Sequence, residues 1–279
     1  MASSTDANLP PQKAVSEFQH TILDHYQNSG RAFPWRETRD PYAILVSEFM
    51  LQQTQTDRVV PKYLAWMSRF PTVESLASST LSEVLEQWSG LGYNRRARFL
   101  RETAMLITEK HGSLVPEDPE ALDSLPGIGP YTARAISTFS YGLPHAFIET
   151  NIRAVYLFFF FPEKENVPDS EVLSIIERTV WKDDPRSWYY ALMDYGAELK
   201  KKVHNPNRRS KHYSKQSPFE GSLRQARGAV IRQLGNLGRS DSRTIAAAEN
   251  LPEEKVSQAL SALCLEGMVA EDESGYYIP

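Results

Sequence analysis

The sequence predicts a mostly α-helical protein that ends in a small α+β module. Three observations carry that expectation. Apolar residues recur at helical spacing in segment after segment between Val15 and Leu199. Thr80-Leu81-Ser82-Glu83 fits a capping box, in which a threonine and a glutamate satisfy each other's backbone N–H at a helix start. Strand-like alternation is scarce until Met268-Val269-Ala270 and Tyr276-Tyr277-Ile278, which flank the acidic turn Glu271 to Gly275.

In chain order, Val15 to His25 reads as a helix and the Gly-, Pro- and Arg-rich stretch Asn28 to Asp40 as a loop. A helical pattern then runs from Pro41 to Phe70. Thr72 could cap a short turn, although Thr72-Val73-Glu74-Ser75 is not read as a capping box; Thr80 starts the helix Leu81 to Trp88. Gly90-Leu91-Gly92-Tyr93 breaks the pattern, which resumes from Arg95 to His111. A short helix over Pro119 to Leu125 and a longer one over Thr132 to Tyr141 follow, then an apolar, aromatic helix from Asn151. Further helices are expected from a cap at Asp169 or Ser170 through Trp181, and from Trp188 to Leu199. Beyond a polar, basic stretch, Leu223 to Leu234, Ser242 to Glu249 and Pro252 to Glu266 read as three helices before the two strands, the pattern of a winged helix. Such modules contact either DNA or protein.

The chain has 279 residues, enough for two or three compact units. The expected division is a disordered lead-in over 1–14, a helical core over 15–204, a basic linker or loop over 205–222 and the winged-helix-like module over 223–279. No run of about eighteen apolar residues exists, so no helical membrane span is expected. The first residues lack the basic and apolar regions of a signal peptide. One cysteine, Cys264, forms no internal disulfide and no four-cysteine metal or cluster site; a cytoplasmic location is the default, and the residue is read as a small buried apolar group.

The net charge of -4 argues mildly against a nucleic-acid binder. Its distribution softens the objection, because Lys200, Lys201, Lys202, Arg208, Arg209, Lys211 and Lys215 fall in one stretch without an acidic residue. Arg95, Arg96, Arg98 and Arg101 form a second cluster. Either group is a phosphate contact or a solvated basic loop, and charge alone does not choose.

The most informative segment is Leu125-Pro126-Gly127-Ile128-Gly129-Pro130-Tyr131-Thr132-Ala133. Glycines two apart bracket an apolar plug between two helices. Glycine permits a tight turn and a close backbone approach, and the N–H groups that open the following helix are suited to a phosphate. A Gly-x-Gly pair alone is a weak signal, but with Leu-Pro before it and Tyr-Thr-Ala after it the segment resembles the helix-hairpin-helix of the DNA glycosylase superfamily. Gly127, Gly129, Tyr131 and Thr132 are then the expected DNA-backbone contacts, with Lys200, Lys201 and Lys202.

From Phe33 to Leu199 the chain resembles the adenine DNA glycosylase (MutY) branch of that superfamily. The matching pieces fall in family order: Pro34-Trp35-Arg36, Asp40-Pro41-Tyr42, Ser47 through Gln55, Phe70-Pro71-Thr72-Val73, Gly90-Leu91-Gly92-Tyr93 with Arg96-Ala97-Arg98, the hairpin, and Leu192-Met193-Asp194-Tyr195-Gly196-Ala197. The resemblance implies a two-lobed helix-hairpin-helix glycosylase core. It places Glu48 in the base pocket as the acid that protonates the departing base, a role suited to a carboxyl kept neutral by apolar surroundings. It places Glu149 where the family has aspartate, in Phe147-Ile148-Glu149-Thr150-Asn151-Ile152, to stabilise a cationic sugar or direct a water. The extra methylene is the main departure, and a plain charge at a helix start is its alternative. Asn151 matches the family residue. Gln52 and Gln53 match residues that wedge into the stack beside the extruded nucleotide, and Tyr93 matches a tyrosine that wedges near the opposite base. Tyr131 stands where bifunctional relatives carry a Schiff-base lysine, which implies simple hydrolysis.

Past Leu199 the family commonly continues into four cysteines that hold an iron–sulfur cluster. Here Lys200-Lys201-Lys202 and Asn205-Pro206-Asn207-Arg208 stand instead, so no cluster, metal or other cofactor is expected. Leu223 to Pro279 is too short and too helical for the MutT-like domain that helps relatives read 8-oxoguanine. The expected function is a monofunctional glycosylase on double-stranded DNA with a mismatch or lesion, most simply adenine opposite 8-oxoguanine or guanine. It would act as a monomer in the cytoplasm with the nucleoid, with protein partners unspecified. The alternatives are a uracil, thymine or other lesion glycosylase, and a non-catalytic lesion-binding protein.

Overall fold

The computed structural model describes residues 10–214 and 218–279. Its helices are α1 (Gln12–Ser29), α2 (Pro41–Leu51), α3 (Thr56–Arg69), α4 (Val73–Ala77), α5 (Leu81–Trp88), α6 (Arg95–Lys110), α7 (Pro119–Asp123), α8 (Pro130–Tyr141), α9 (Thr150–Phe160), α10 (Asp169–Thr179), α11 (Pro185–Lys202), α12 (Leu223–Leu237), α13 (Ser242–Glu249) and α14 (Glu253–Leu265). Strands β1 (Arg239–Ser240), β2 (Ala270–Asp272) and β3 (Gly275–Tyr277) form an antiparallel sheet in the order β1-β3-β2. Tyr276 pairs with Ser240 on one side and Glu271 on the other. The mostly helical class with a small terminal sheet is therefore observed. Among the described residues no helix is long and apolar enough to cross a membrane.

The chain divides into two compact units. The first holds residues 10–44, 117–123 and 128–214; the second holds 45–116, 124–127 and 218–279. The C-terminal module is thus not a unit of its own: α12 packs on α5 as well as on α13 and α14.

The core of the first unit is aromatic. The Phe18 ring meets Tyr156 and Trp188 edge-on, with centroids 5.3 and 5.6 Å apart. This geometry suits ring quadrupoles and adds about 0.5–1.5 kcal/mol per pair beyond area burial. It follows from Phe18 and Ile22 on the buried stripe of α1 and from the apolar run on α9. The core of the second unit centres on Trp66, fully buried and edge-on to both Phe70 and Trp88.

Several local expectations change. Helix α1 opens at Gln12, so the 1–14 lead-in is shortened at its C-terminal end, and residues 1–9 lie outside the described residues. The 41–70 pattern is two helices, broken at Gln53, whose φ of 56° is left-handed. Thr72 does form a capping box: the Ser75 hydroxyl accepts from Thr72 N as a glutamate would, and the Thr72 hydroxyl accepts from Ser75 N. Lys200, Lys201 and Lys202 form the last turn of α11 rather than a loop, a position where cations complement the carbonyl end of a helix. The first residues of the 205–222 stretch are not a loose linker either. Residues 206–209 form a 3-10 turn with Pro206 and Asn207 buried, and the Arg209 guanidinium donates to the Leu157, Phe161 and Pro162 carbonyls at the end of α9. Lys215, in the same stretch, lies outside the described residues.

The loop over residues 30–40 is held by one carboxylate. Asp194 accepts from Arg31 N and Nε at 2.8 Å and from both terminal nitrogens of Arg36 at 2.8 Å. Burial works to raise the Asp194 pKa, but the Arg36 and Arg31 contacts outweigh it and the net shift is downward. A lowered carboxylate pKa contributes stability above its unfolded value and loses it as pH falls through the folded value. Asp194→Asn strands two guanidinium groups, one of them buried, and is expected to lower unfolding free energy by about 3–5 kcal/mol in urea titrations at neutral pH.

Candidate functional site

In the second unit, Glu48 lies within α2, a helix buried on nearly every side. Its neighbours in sequence, Ser47 and Phe49, are at 1% and 0% exposure, and Glu48 itself is at 7%. A carboxyl so enclosed is not a solvated surface charge.

The end of α2 and the loop after α5 are joined by Arg96. Its Nη1 donates to the Phe49, Met50 and Gln52 carbonyls at 2.7, 3.0 and 2.6 Å. Its Nη2 donates to Thr54 Oγ1 and to the Gly92 carbonyl, each at 3.0 Å. Carbonyls at a helix C-terminus lack intrahelical partners, and a planar guanidinium fork can satisfy several at once. Burial lowers the Arg96 pKa to about 10, so the group stays charged at neutral pH. Trp88 Nε1 also donates to Gly92 O, at 3.0 Å.

This clamp fixes the two expected wedge segments. Gln53 and Tyr93 both have left-handed backbones, with φ of 56° and 49°. Such positions cost on the order of 1–3 kcal/mol for side-chain-bearing residues and persist where the surroundings impose them. Gln52, Gln53 and Tyr93 are therefore brought together by one buried cation. The sequence reading placed Arg96 in a basic cluster with Arg95, Arg98 and Arg101; the structure buries Arg96, pairs Arg98 with Glu102 and turns Arg101 onto the Ser79 carbonyl. A signal was present: Arg96 falls on the buried stripe of α6 with Leu100, Thr103 and Ile107.

The hairpin turn shows that its two glycines do different things. Gly127 has a left-handed φ of 74°, and a Cβ there would sit 2.8 Å from Phe99 Cβ and 2.9 Å from Phe49 Cε1. Thr103 Oγ1 donates to the Pro126 carbonyl at 2.8 Å and fixes the turn. Gly129 has an ordinary extended backbone, caps α8 with no side-chain cap bond, and would place a Cβ in open space. Glycine at 127 is demanded by packing; at 129 it leaves the helix start uncovered.

In the first unit, Glu149 caps α9. Oε1 accepts from Asn151 N at 2.7 Å and Ile152 N at 2.8 Å, and Oε2 accepts from Asn151 Nδ2 at 3.2 Å. The longer side chain folds back onto the N–H groups that a shorter cap residue reaches directly. Burial raises the Glu149 pKa, opposed by these backbone donors and by the charge of Lys200. The N-terminal end of α9 is closely backed. A Cβ at Gly196 would meet the Asn151 carbonyl oxygen at 2.3 Å, and Asn207 Nδ2 donates to Thr150 O at 3.0 Å. Tyr131 packs edge-on against Phe147 with centroids 5.7 Å apart. Thr132 is buried in the first turn of α8. Lys200 is partly buried and interacts electrostatically with Glu149, Lys202 pairs with Glu198, and Lys201 is exposed. The three lysines therefore do not form one surface. Glu48 belongs to one unit and Glu149 to the other.

Residues 46–212 match the model of the HhH-GPD superfamily base excision DNA repair protein family. The adenine DNA glycosylase of Mycobacterium tuberculosis is 43% identical over 153 residues, covering 53% of this chain and 50% of that protein. The adenine DNA glycosylase of Homo sapiens is 39% identical over 150 residues, covering 50% of this chain and 28% of that protein. The chain thus spans at most about half the length of these two curated relatives. Among solved structures, a thermostable thymine-DNA glycosylase aligns with a TM-score of 0.62 at 30% identity, covering 67% of this chain and 87% of that one. A trapped endonuclease III–DNA covalent intermediate aligns with a TM-score of 0.54 at 17% identity, which supports the fold alone.

Gly127→Ala is expected to lower unfolding free energy by about 1–3 kcal/mol through overpacking and strain, and Gly129→Ala to leave the urea midpoint unchanged. A second expectation concerns Glu149. A carboxyl whose folded pKa is raised makes the native state bind a proton more tightly than the unfolded chain does. Its contribution therefore falls as pH rises from the ordinary value of 4.5 to the folded value, and is flat above that. The stability of the wild type minus that of Glu149→Gln, measured by urea titration at successive pH, is expected to decline over that window.

Proposed function

Because the chain belongs to the HhH-GPD superfamily of base excision DNA repair proteins, we propose that it is a monofunctional DNA glycosylase. It hydrolyses the N-glycosidic bond of a mispaired or damaged base in duplex DNA, with adenine opposite 8-oxoguanine or guanine as the favoured target. The observation that carries this reading is the match to adenine DNA glycosylases at 43% identity and 39% identity, together with a buried Glu48 and a Glu149 anchored at a helix start.

In this reading the target nucleotide leaves the stack and Gln52, Gln53 and Tyr93 fill the gap. Glu48 donates a proton to the departing base, which lowers the barrier to C–N cleavage. Glu149 faces the sugar with a carboxylate whose orientation is set by Asn151 and Ile152. It stabilises the oxocarbenium-like state and directs the water that attacks it. Tyr131 offers no amine, so the product is an abasic site without strand cleavage. The N-terminal end of α8 beyond Gly129, with Tyr131 and Thr132, holds a DNA phosphate, and Lys201 adds an exposed cation. The reading needs no iron–sulfur cluster: residues 203–222, which directly follow α11, include no cysteine, and the single cysteine, Cys264, lies in α14. The protein works as a monomer in the compartment that holds the DNA.

A second reading is favoured by one observation. The alignment with a thymine-DNA glycosylase at a TM-score of 0.62 and 30% identity supports a pyrimidine mismatch as substrate, and Glu149 at the position where the resemblance implies aspartate fits a shifted target. A third is a lesion-binding protein without turnover, in which both Glu149 oxygens serve only the helix cap.

Single-turnover excision on labelled duplexes separates the three. The panel holds adenine opposite 8-oxoguanine, adenine opposite guanine, uracil or thymine opposite guanine, and hypoxanthine. Alkali-dependent cleavage at adenine is expected. Cleavage only at uracil or thymine selects the second reading, and binding without cleavage selects the third. Glu149→Gln is expected to slow excision by about 10²–10³-fold while lesion binding persists. Glu48→Gln is expected to slow release of a purine by about 10²-fold or more, and of a base that leaves without protonation far less.

A further inference from the structure

The C-terminal module was expected to contact either DNA or protein. Its charges favour neither groove insertion nor phosphate binding. Residues 223–279 carry six basic and eight acidic side chains. Four of the six basic groups lie at ion-pair distance from a carboxylate of the module, and a fifth bonds a carbonyl just before it. Arg227 pairs with Glu266 through two bonds of 3.1 and 2.6 Å. Arg232 pairs with Glu249, Arg239 with Asp272, and Arg243 lies 3.9 Å from Glu253. Lys255 donates to the Gly221 carbonyl. The exposed side chains of α14, the helix that a winged helix would place in a groove, are Glu253, Glu254, Ser257, Gln258, Ser261 and Leu265. The end of β2 and the turn that follows it carry Asp272 and Glu273. A phosphate backbone would meet carboxylates on both elements.

The sixth basic residue points elsewhere. Arg224, in the first turn of α12, donates from Nη1 to Tyr93 Oη at 2.8 Å. Its guanidinium carbon lies 5.5 Å from the centroid of the Tyr93 ring, as does that of Arg96. Helix α12 is carried against this part of the unit by its packing on α5, whose end leads into the Gly90 to Tyr93 loop. Tyr93 is therefore fixed at both ends. Arg96 holds the carbonyl that precedes its left-handed backbone, and Arg224 holds its hydroxyl.

We propose that the C-terminal module is an internal brace that positions Tyr93 through Arg224, and that its helix α14 and its β2–β3 turn make no contact with DNA. Arg224 is a positioning residue for discrimination between opposite bases, which rests on the reading of Tyr93 as a wedge beside the opposite base. A phenol held by a guanidinium keeps one orientation in the opened stack, whereas a free phenol on a strained turn rotates and accommodates either partner.

The test is a double-mutant cycle on the full chain. The quantity measured is the ratio of single-turnover excision rates for the target base opposite its preferred partner and opposite a poor one. Arg224→Ala and Tyr93→Phe are each expected to reduce the ratio roughly three- to tenfold, the size of one hydrogen bond. The double variant is expected to be no worse than either alone, and Arg224→Lys to recover part of the loss. Arg227→Ala, whose partner is Glu266, is expected to leave the ratio unchanged. Additive losses, or an unchanged ratio in Arg224→Ala, overturn the brace. If the wild type excises nothing, the glycosylase reading fails separately. Hydrogen exchange of the free protein then decides: faster exchange across Gly90 to Arg96 in Arg224→Ala supports the brace, and equal exchange overturns it. The second half of the proposal is read from salt dependence. Arg243→Gln with Lys255→Gln is expected to leave the slope of log Kd against log salt on lesion duplex unchanged, and a change in slope of about one per residue overturns it.

Discussion

The candidate site depends first on a buried guanidinium. Arg96 accepts the cost of leaving water because its terminal nitrogens reach carbonyls that the end of α2 would otherwise leave without partners. The same group reaches Gly92, so a helix end and a loop distant in sequence share one anchor. With that anchor in place, Gln53 and Tyr93 keep left-handed backbones that neither residue favours. One guanidinium thus holds both strained loops in a fixed relation to each other.

The other carboxylate is prepared by a different device. Glu149 is fixed by the helix it caps, and that helix start is backed by Gly196, which lets α11 approach Asn151, and by Asn207 bonded to Thr150. Asn207 belongs to the segment that follows α11, and its neighbour Arg209 secures the far end of α9. A short polar turn thus ties down both ends of the helix that presents Glu149. Lys200, read from sequence as a phosphate contact, interacts electrostatically with this carboxylate, and its own pKa is lowered by burial.

Much of this was legible in the sequence where one rule acted alone. The Thr80 capping box, the hairpin glycines and the α13 helix all follow from local chemistry, and the structure places them as read. Legibility failed where a long-range partner decided the outcome. Arg96 looked like one of four surface cations because carbonyls far away in sequence are invisible in a composition count; only its place on an apolar stripe hinted otherwise. The stretch after Lys202 looked like a linker because its partners lie on α9. Ser75 was missed as a capping partner because the rule was applied for glutamate and glutamine alone, although a hydroxyl accepts the same N–H. Arg224 carried no sequence signal at all, since its partner lies 131 positions away.

The most direct test of this account is hydrogen exchange on the free wild type and Arg96→Lys. Lysine keeps the charge but cannot span the carbonyls that the planar fork reaches. The account predicts that the amides of Thr54, Leu91 and Arg96, which close the two loops, lose protection together, while the amides within α3 and the rest of α6 keep theirs. Loosening of only one segment, or unchanged protection in both, would contradict the claim that a single buried cation holds the two.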